Sequence, residues 1–183
     1  MTTLWKVFKA GLKSNNGNIE WEIGEWQKHE GKLELCMSGF HASERIVDAM
    51  YYTSMELLAR VEVKGDHLVG EDKQCWSEMR ILEVFPWTKE DSVSLVIFAA
   101  EQVIGIFERF YPDNARPKKD IELAKNWLKE NTEASAGATA EVAAGAVWSA
   151  ARAIGSAAGD SKNEEILERC EKFILSRLQK TAI

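Results

Sequence analysis

The stretch Cys75–Phe107 reads CWSEMRILEVFPWTKEDSVSLVIFAAEQVIGIF and changes its hydrophobic period near residue 88. Up to that point short apolar runs alternate with polar residues, the two-residue period of a half-buried strand. Beyond it Val93, Val96, Ile97, Ala100, Val103, Ile104 and Phe107 recur at the intervals that line one face of a helix. Thr88-Lys89-Glu90-Asp91 has capping-box spacing, in which the threonine hydroxyl accepts from a backbone N–H three residues on and the carboxylate answers in return. The sequence therefore predicts two regions, a sheet-containing one over residues 1–87 and a helical one over 88–183.

Working back from the boundary, CWSEMRILEVF and ARVEVKG both carry the strand pattern. Further upstream, LWKVF reads as a first strand, and NNGN supplies the Asn-Gly chemistry of a tight reversal into IEWEI, so residues 4–24 are expected to form a hairpin or meander. KLELCM alternates Leu33 and Leu35 against Lys32 and Glu34, another strand signal. After SGF, Ser43 is placed to cap a short helix whose apolar face is Ile46, Val47, Met50 and Tyr51.

Working forward, two of the three prolines, Pro112 and Pro117, bracket Asp113 and Asn114. Proline inside a helix loses a backbone hydrogen bond, whereas its preset φ suits the first helical turn, so this segment reads as a corner between two helices. Ile121, Ala124 and Leu128 stripe the second helix, with Trp127 beside them. Residues 134–158 are rich in alanine and glycine without proline, and Val142, Val147, Ala151 and Ile154 return on a helical face. A last helix carries Ile166, Cys170, Phe173, Ile174 and Leu178. The expected helices span 91–111, 117–131, 136–158 and 163–180, and the fold class is α+β: a small antiparallel or mixed N-terminal sheet with one short helix, then a four-helix C-terminal bundle.

The chain has 183 residues, 23 Lys and Arg against 29 Asp and Glu, and a net charge of −6. An acidic balance disfavours nucleic acid as the main partner, since phosphate binding needs a clustered basic face. Cys36, Cys75 and Cys170 are odd in number and widely spaced, which excludes a disulfide framework and a zinc ribbon and fits a reducing cytoplasm. No window of about twenty apolar residues is free of charge, so no membrane span is expected.

Within residues 95–158, Glu101, Val103, Phe107-Glu108, Tyr111-Pro112-Asp113, Arg116-Pro117-Lys118, Ile121-Glu122, Ala124 and Trp127 follow one another in unbroken register, ahead of the alanine-rich helix. This pattern resembles the all-helical immunity-protein family of bacterial polymorphic-toxin systems. The resemblance implies a protein that binds and masks a toxin or defence component. In the N-terminal region LCMSGFHAS, Tyr51-Tyr52 and VEVKG resemble a small module of phage and bacterial proteins. GFHAS ahead of a helix is also distantly similar to a strand of ADP-ribosyltransferase-like folds, which implies a nucleotide cleft containing His41 and Ser43. LWKVFKAG carries no His or Arg to grip NAD, so NAD cleavage is not expected.

The residues singled out for protein binding are Tyr111, Asp113, Asn114, Arg116, Lys118, Lys119 and Trp127. Lys118 and Lys119 sit in the first turn of a helix, where the dipole disfavours cations, and a local rule broken without visible gain marks a candidate contact. No catalytic set, cofactor or metal is expected, because His41, Cys36 and Cys75 lack the third and fourth ligands zinc requires in this spacing. The expected function is a non-enzymatic protein-binding accessory protein. The alternatives are an ADP-ribosyltransferase-like enzyme or its degenerate descendant, and a homo-oligomeric structural protein.

Overall fold

A computed structural model describes residues 1–14, 19–50, 56–130 and 160–178. The expected Asn-Gly reversal at 15–18, Tyr51, Tyr52 and the expected helix at 136–158 lie outside these residues. The described elements are β1 (Thr2–Phe8), β2 (Gln27–Lys28), β3 (Phe40–Ala42), α1 (Ile46–Met50), β4 (Leu57–Val69), β5 (Gln74–Pro86), α2 (Lys89–Phe110), α3 (Arg116–Glu130) and α4 (Asp160–Leu178). The chain is thus α+β, with an antiparallel sheet and a short helix first and helices after. It divides into two compact units, Thr88–Ile174 and the remainder. No described helix is long and apolar enough to cross a membrane.

The sheet is organised by the β4–β5 hairpin, two 13-residue strands whose turn is closed by Gly70 N–H donating to Lys73 O at 2.8 Å. β4 pairs on its other edge with all seven residues of β1, and β5 receives β3 and then β2 along its own outer edge, all antiparallel. Two register shifts in β4–β5, between Arg60 and Val61 and between Lys64 and His67, sharpen the twist. Leu4, Phe8, Ala59, Val61, Val63, Met79 and Ile81 form the buried face, joined by Trp21, Phe40, Ala42 and Trp76. The opposite face holds cross-strand pairs of opposite charge, Arg80 with Glu62 at 2.6 Å and Lys64 with Glu78 at 3.2 Å. A two-bond bridge, Trp5 N–H to Ser43 O at 2.8 Å and Ser43 N–H to Trp5 O at 2.9 Å, ties the end of β3 back to β1 and curls the sheet toward closure.

Three expectations are corrected here. β1 does not form a hairpin with IEWEI: its partner is β4, whose paired residues lie between Phe8↔Leu57 and Thr2↔Val63, and Glu20 and Ile23 make only isolated bridges. KLELCM is not a strand but a turn closed by Ser38 N–H on Glu34 O at 2.9 Å, with Cys36 in the left-handed region at φ 68°. Its alternating leucines are half-buried plugs, Leu33 against Gly39 and Leu35 against Gly70. Ser43 does not start the short helix, which begins at Ile46; it is taken up by the bridge to Trp5, while Ile46, Val47 and Met50 are buried as expected.

In the second unit the Thr88 capping box is formed: Asp91 N–H donates to Thr88 Oγ1 at 3.1 Å and Thr88 N–H to Asp91 Oδ2 at 2.9 Å. Val93, Ile97 and Ala100 of α2 bury against Ile121 of α3, with Ala124, Trp127 and Leu128 packed around them. α4 stacks Phe173 on Phe98 with centroids 4.6 Å apart and donates from Arg169 Nη1 to Gln102 Oε1 at 2.9 Å. The described C-terminal helices are therefore three, and the expected four-helix bundle is described only to that extent.

Gly39 lies at φ 108°, and a Cβ there would clash with Cys75 Sγ and come within 2.7 Å of Leu33 Cδ2. Gly39→Ala is expected to destabilise the protein by about 3 kcal/mol, read by denaturant unfolding, because backbone strain and overpacking add. Gly105→Ala, in an open helical position, should instead be neutral or slightly stabilising.

Candidate functional site

Strand alternation places Leu4, Lys6 and Phe8 of β1 on one face. Leu4 and Phe8 are core residues at 1 % exposure, so Lys6 is a cation seated in the middle of the apolar face. Its register partner on β4 is Ala59, the smallest side chain of that buried row. The ammonium donates to His41 O at 2.9 Å and lies 5.4 Å from the Phe8 ring centroid. Burial pulls its pKa from 10.5 down to about 8, with the neighbouring Cys75 a lesser influence in the opposite direction.

β3 brings His41 alongside. Its Nε2 accepts from the Cys36 backbone N–H at 2.9 Å, which fixes the ring as the neutral tautomer protonated at Nδ1. Burial lowers its pKa first, and the charges of Lys6 and Lys73 lower it further. Around them, Ser38 Oγ bonds His29 Nε2 at 3.0 Å, and Cys75 Sγ donates to Ser38 O at 3.0 Å as a thiol whose pKa burial raises. Trp21 Nε1 donates to Ser14 Oγ at 3.0 Å, and the Trp21 ring meets Phe40 edge-on at 5.2 Å.

These groups line a cleft of about 670 Å³, a size suited to a small molecule. Lys6, Lys73, His29 and His41 contribute to its wall, with Ser14, Ser38 and Ser43, and among the described residues no Asp or Glu lines it. In a chain of net charge −6 that is a local reversal of sign. His41 and Ser43, named from the sequence, thus belong to one cleft, but Ser43 is 2 % exposed, and among the described residues no lining carboxylate stands to orient a histidine base. Such a wall can bind and polarise a ligand. Among the described residues no group of three or more His, Cys, Asp or Glu is placed to hold a metal.

The corner residues lie in the other unit. Tyr111 is the C-cap of α2, 58 % exposed, with its ring 5.0 Å from that of Phe107; Phe110 beside it is 75 % exposed. Asn114 Oδ1 accepts from Arg116 N–H at 3.2 Å, and Asp113, Arg116 and Lys119 are exposed. Lys118 Nζ pairs with Glu108 Oε1 at 2.5 Å, so the first-turn cation is compensated from the preceding helix. Trp127 stands apart from this group, in the α2–α3 core with Lys89 Nζ 6.0 Å from its ring centroid.

Sequence reasoning missed Lys6, and the signal was available: in LWKVF the two-residue period that made a strand of it also put a lysine between two core positions. Lys73, His29 and Ser38 had no such signal, because loops far apart in the chain deliver them. A lysine pKa lowered from 10.5 to about 8 corresponds to a folding cost of up to about 3 kcal/mol. The unfolded ammonium keeps its proton to about 10.5 while the folded one releases it near 8, so the cost is complete below pH 8 and relieved as pH rises through that window. Lys6→Met is therefore expected to stabilise the protein by about 1–3 kcal/mol at pH 7. Urea unfolding of both proteins at pH 7 and pH 10 should show the gap narrowing at the higher value.

Residues 2–90 match the family described as Domain of unknown function (DUF7666), a stretch that takes in β1 through β5 and every lining residue of the cleft named above. No curated protein and no solved structure matches the chain.

Proposed function

We propose that the chain is a non-enzymatic accessory protein of the immunity type, which binds a toxin or defence protein through the corner between α2 and α3. The observation that carries this reading is the pairing of exposed Phe110 and Tyr111 with the exposed cations Arg116 and Lys119 on a turn bounded by Pro112 and Pro117. Aromatic and arginine side chains are the residue types that dominate binding energy at interfaces. Two prolines, the Asn114 side-chain bond to Arg116 N–H and the Phe107–Tyr111 ring contact hold the turn before any partner arrives. Ordering entropy that a flexible loop would lose on association is thereby lost at folding instead. The partner surface that suits such a corner is an acidic one with an apolar hollow. Among the described residues no carboxylate of the cleft wall stands to orient a base, which favours binding over the enzymatic alternative.

The test uses purified effector proteins encoded beside the gene, titrated against the chain. Tyr111→Ala combined with Arg116→Ala and Lys119→Ala should weaken association at least tenfold and flatten its salt dependence. Lys118 is left in place because it is engaged with Glu108. The melting temperature should change by only a few degrees, because removing helix-start cations offsets the lost Phe107–Tyr111 ring contact. Equal affinity of wild type and triple variant for a bound effector would overturn the assignment of the corner.

A further inference from the structure

We propose that the cleft between β1 and β3 is a binding site for a small oxyanion, a phosphate ester or a carboxylate, with Lys6 as its central contact. The inference does not depend on the corner or on any protein partner.

The first support is charge placed against the grain of the molecule. The chain is acidic overall, yet this cleft gathers Lys6 and Lys73 with two imidazoles, and among the described residues no Asp or Glu lines its wall. A cleft lined by one sign of charge and backed by apolar walls focuses its field on the counter-ion. The second support is the position of Lys6. A strand built to fold and nothing more would carry an apolar residue between Leu4 and Phe8, opposite Ala59; the lysine is retained at a cost in stability. Elsewhere on the sheet the cross-strand cations have carboxylate partners, as Lys64 has Glu78 and Arg80 has Glu62. Lys6 has instead a backbone carbonyl, His41 O, which takes one of the three ammonium donors and leaves up to two for a ligand.

The third support is how the rest of the wall is arranged. His41 is held neutral by the Cys36 N–H on Nε2 while its ring also meets the Gly39 and Glu34 backbone, so it stands in the wall as a fixed, uncharged group that leaves the ligand to the Lys6 ammonium. Gly39, where no side chain fits, lets the chain entering β3 approach Cys75 closely, and the next strand residues carry the His41 carbonyl that Lys6 binds. Trp21 and Phe40 supply an apolar floor for the body of the ligand.

The full chain is titrated calorimetrically at low ionic strength and pH 7 with three probes: inorganic pyrophosphate, adenosine monophosphate and citrate. Saturable 1:1 binding of at least one is expected, weakening as salt rises. Preference for the first two would identify a phosphate site and preference for citrate a carboxylate site. Lys6→Met should reduce that affinity at least tenfold while the protein unfolds at the same or a higher temperature, and Lys73→Ser should reduce it several-fold. The triple corner variant should bind the probe as wild type does, which separates this site from the proposed protein contact. Failure of all three probes to saturate, or equal binding by wild type and Lys6→Met, would overturn the proposal.

Discussion

The N-terminal unit depends on one short contact, the pair of backbone hydrogen bonds between Trp5 and Ser43 at 2.8 and 2.9 Å. β1 would otherwise be an exposed edge, with β4 on one side and nothing on the other, and an open edge is a template for wrong pairing. The bridge occupies that edge where β3 ends and draws Lys6 and His41 to the same cleft. Because β3 is at the same time paired to β5, with His41 opposite Cys75, the three strands constrain one another. The curl follows from the register shifts in β4–β5, which increase twist where the hairpin must bend around its core.

The cleft is where that geometry and local stability part company. Leu4 and Phe8 beside Lys6 on β1 and Ala59 opposite it are apolar, and burial holds its pKa near 8, so at neutral pH it is a charged group kept in a partly dry place. The surrounding hydrogen bonds are local repairs: His41 O takes the ammonium, Cys36 N–H takes the imidazole, and Ser38 O takes the Cys75 thiol. None of them neutralises the charge. A ligand anion would do so, and the fold leaves space for one.

The helical unit follows a different logic. Its stability comes from the apolar seam of α2 and α3, and the corner between them leaves Phe110 and much of Tyr111 exposed, with only the Phe107–Tyr111 ring contact packed there. The first-turn lysines break the dipole rule less than their positions imply, because Glu108 from the previous helix answers Lys118. Arg116 and Lys119 form the exposed rim that this pairing leaves.

Local signals carried the parts of the fold in which neighbours in sequence are neighbours in space. The capping box at Thr88, the α2 stripe, the proline corner and the β4 and β5 alternation were legible because each is a periodicity or a hydrogen-bond pattern spanning a few residues. The pairing of β1 was not, since Leu4 opposite Val61 is a choice among edges that no short window contains. KLELCM misled for a related reason: its alternation is real, but the leucines fill gaps beside Gly39 and Gly70, and the left-handed backbone at Cys36 turns the chain before a ladder can form. Of the cleft, His41 and Ser43 were visible as a motif, and Lys6 was visible in principle as a misplaced cation. Their meeting was decided by tertiary structure alone, because burial, field and hydrogen-bond partners depend on which strands lie side by side, and that is settled by the whole sheet closing on its core.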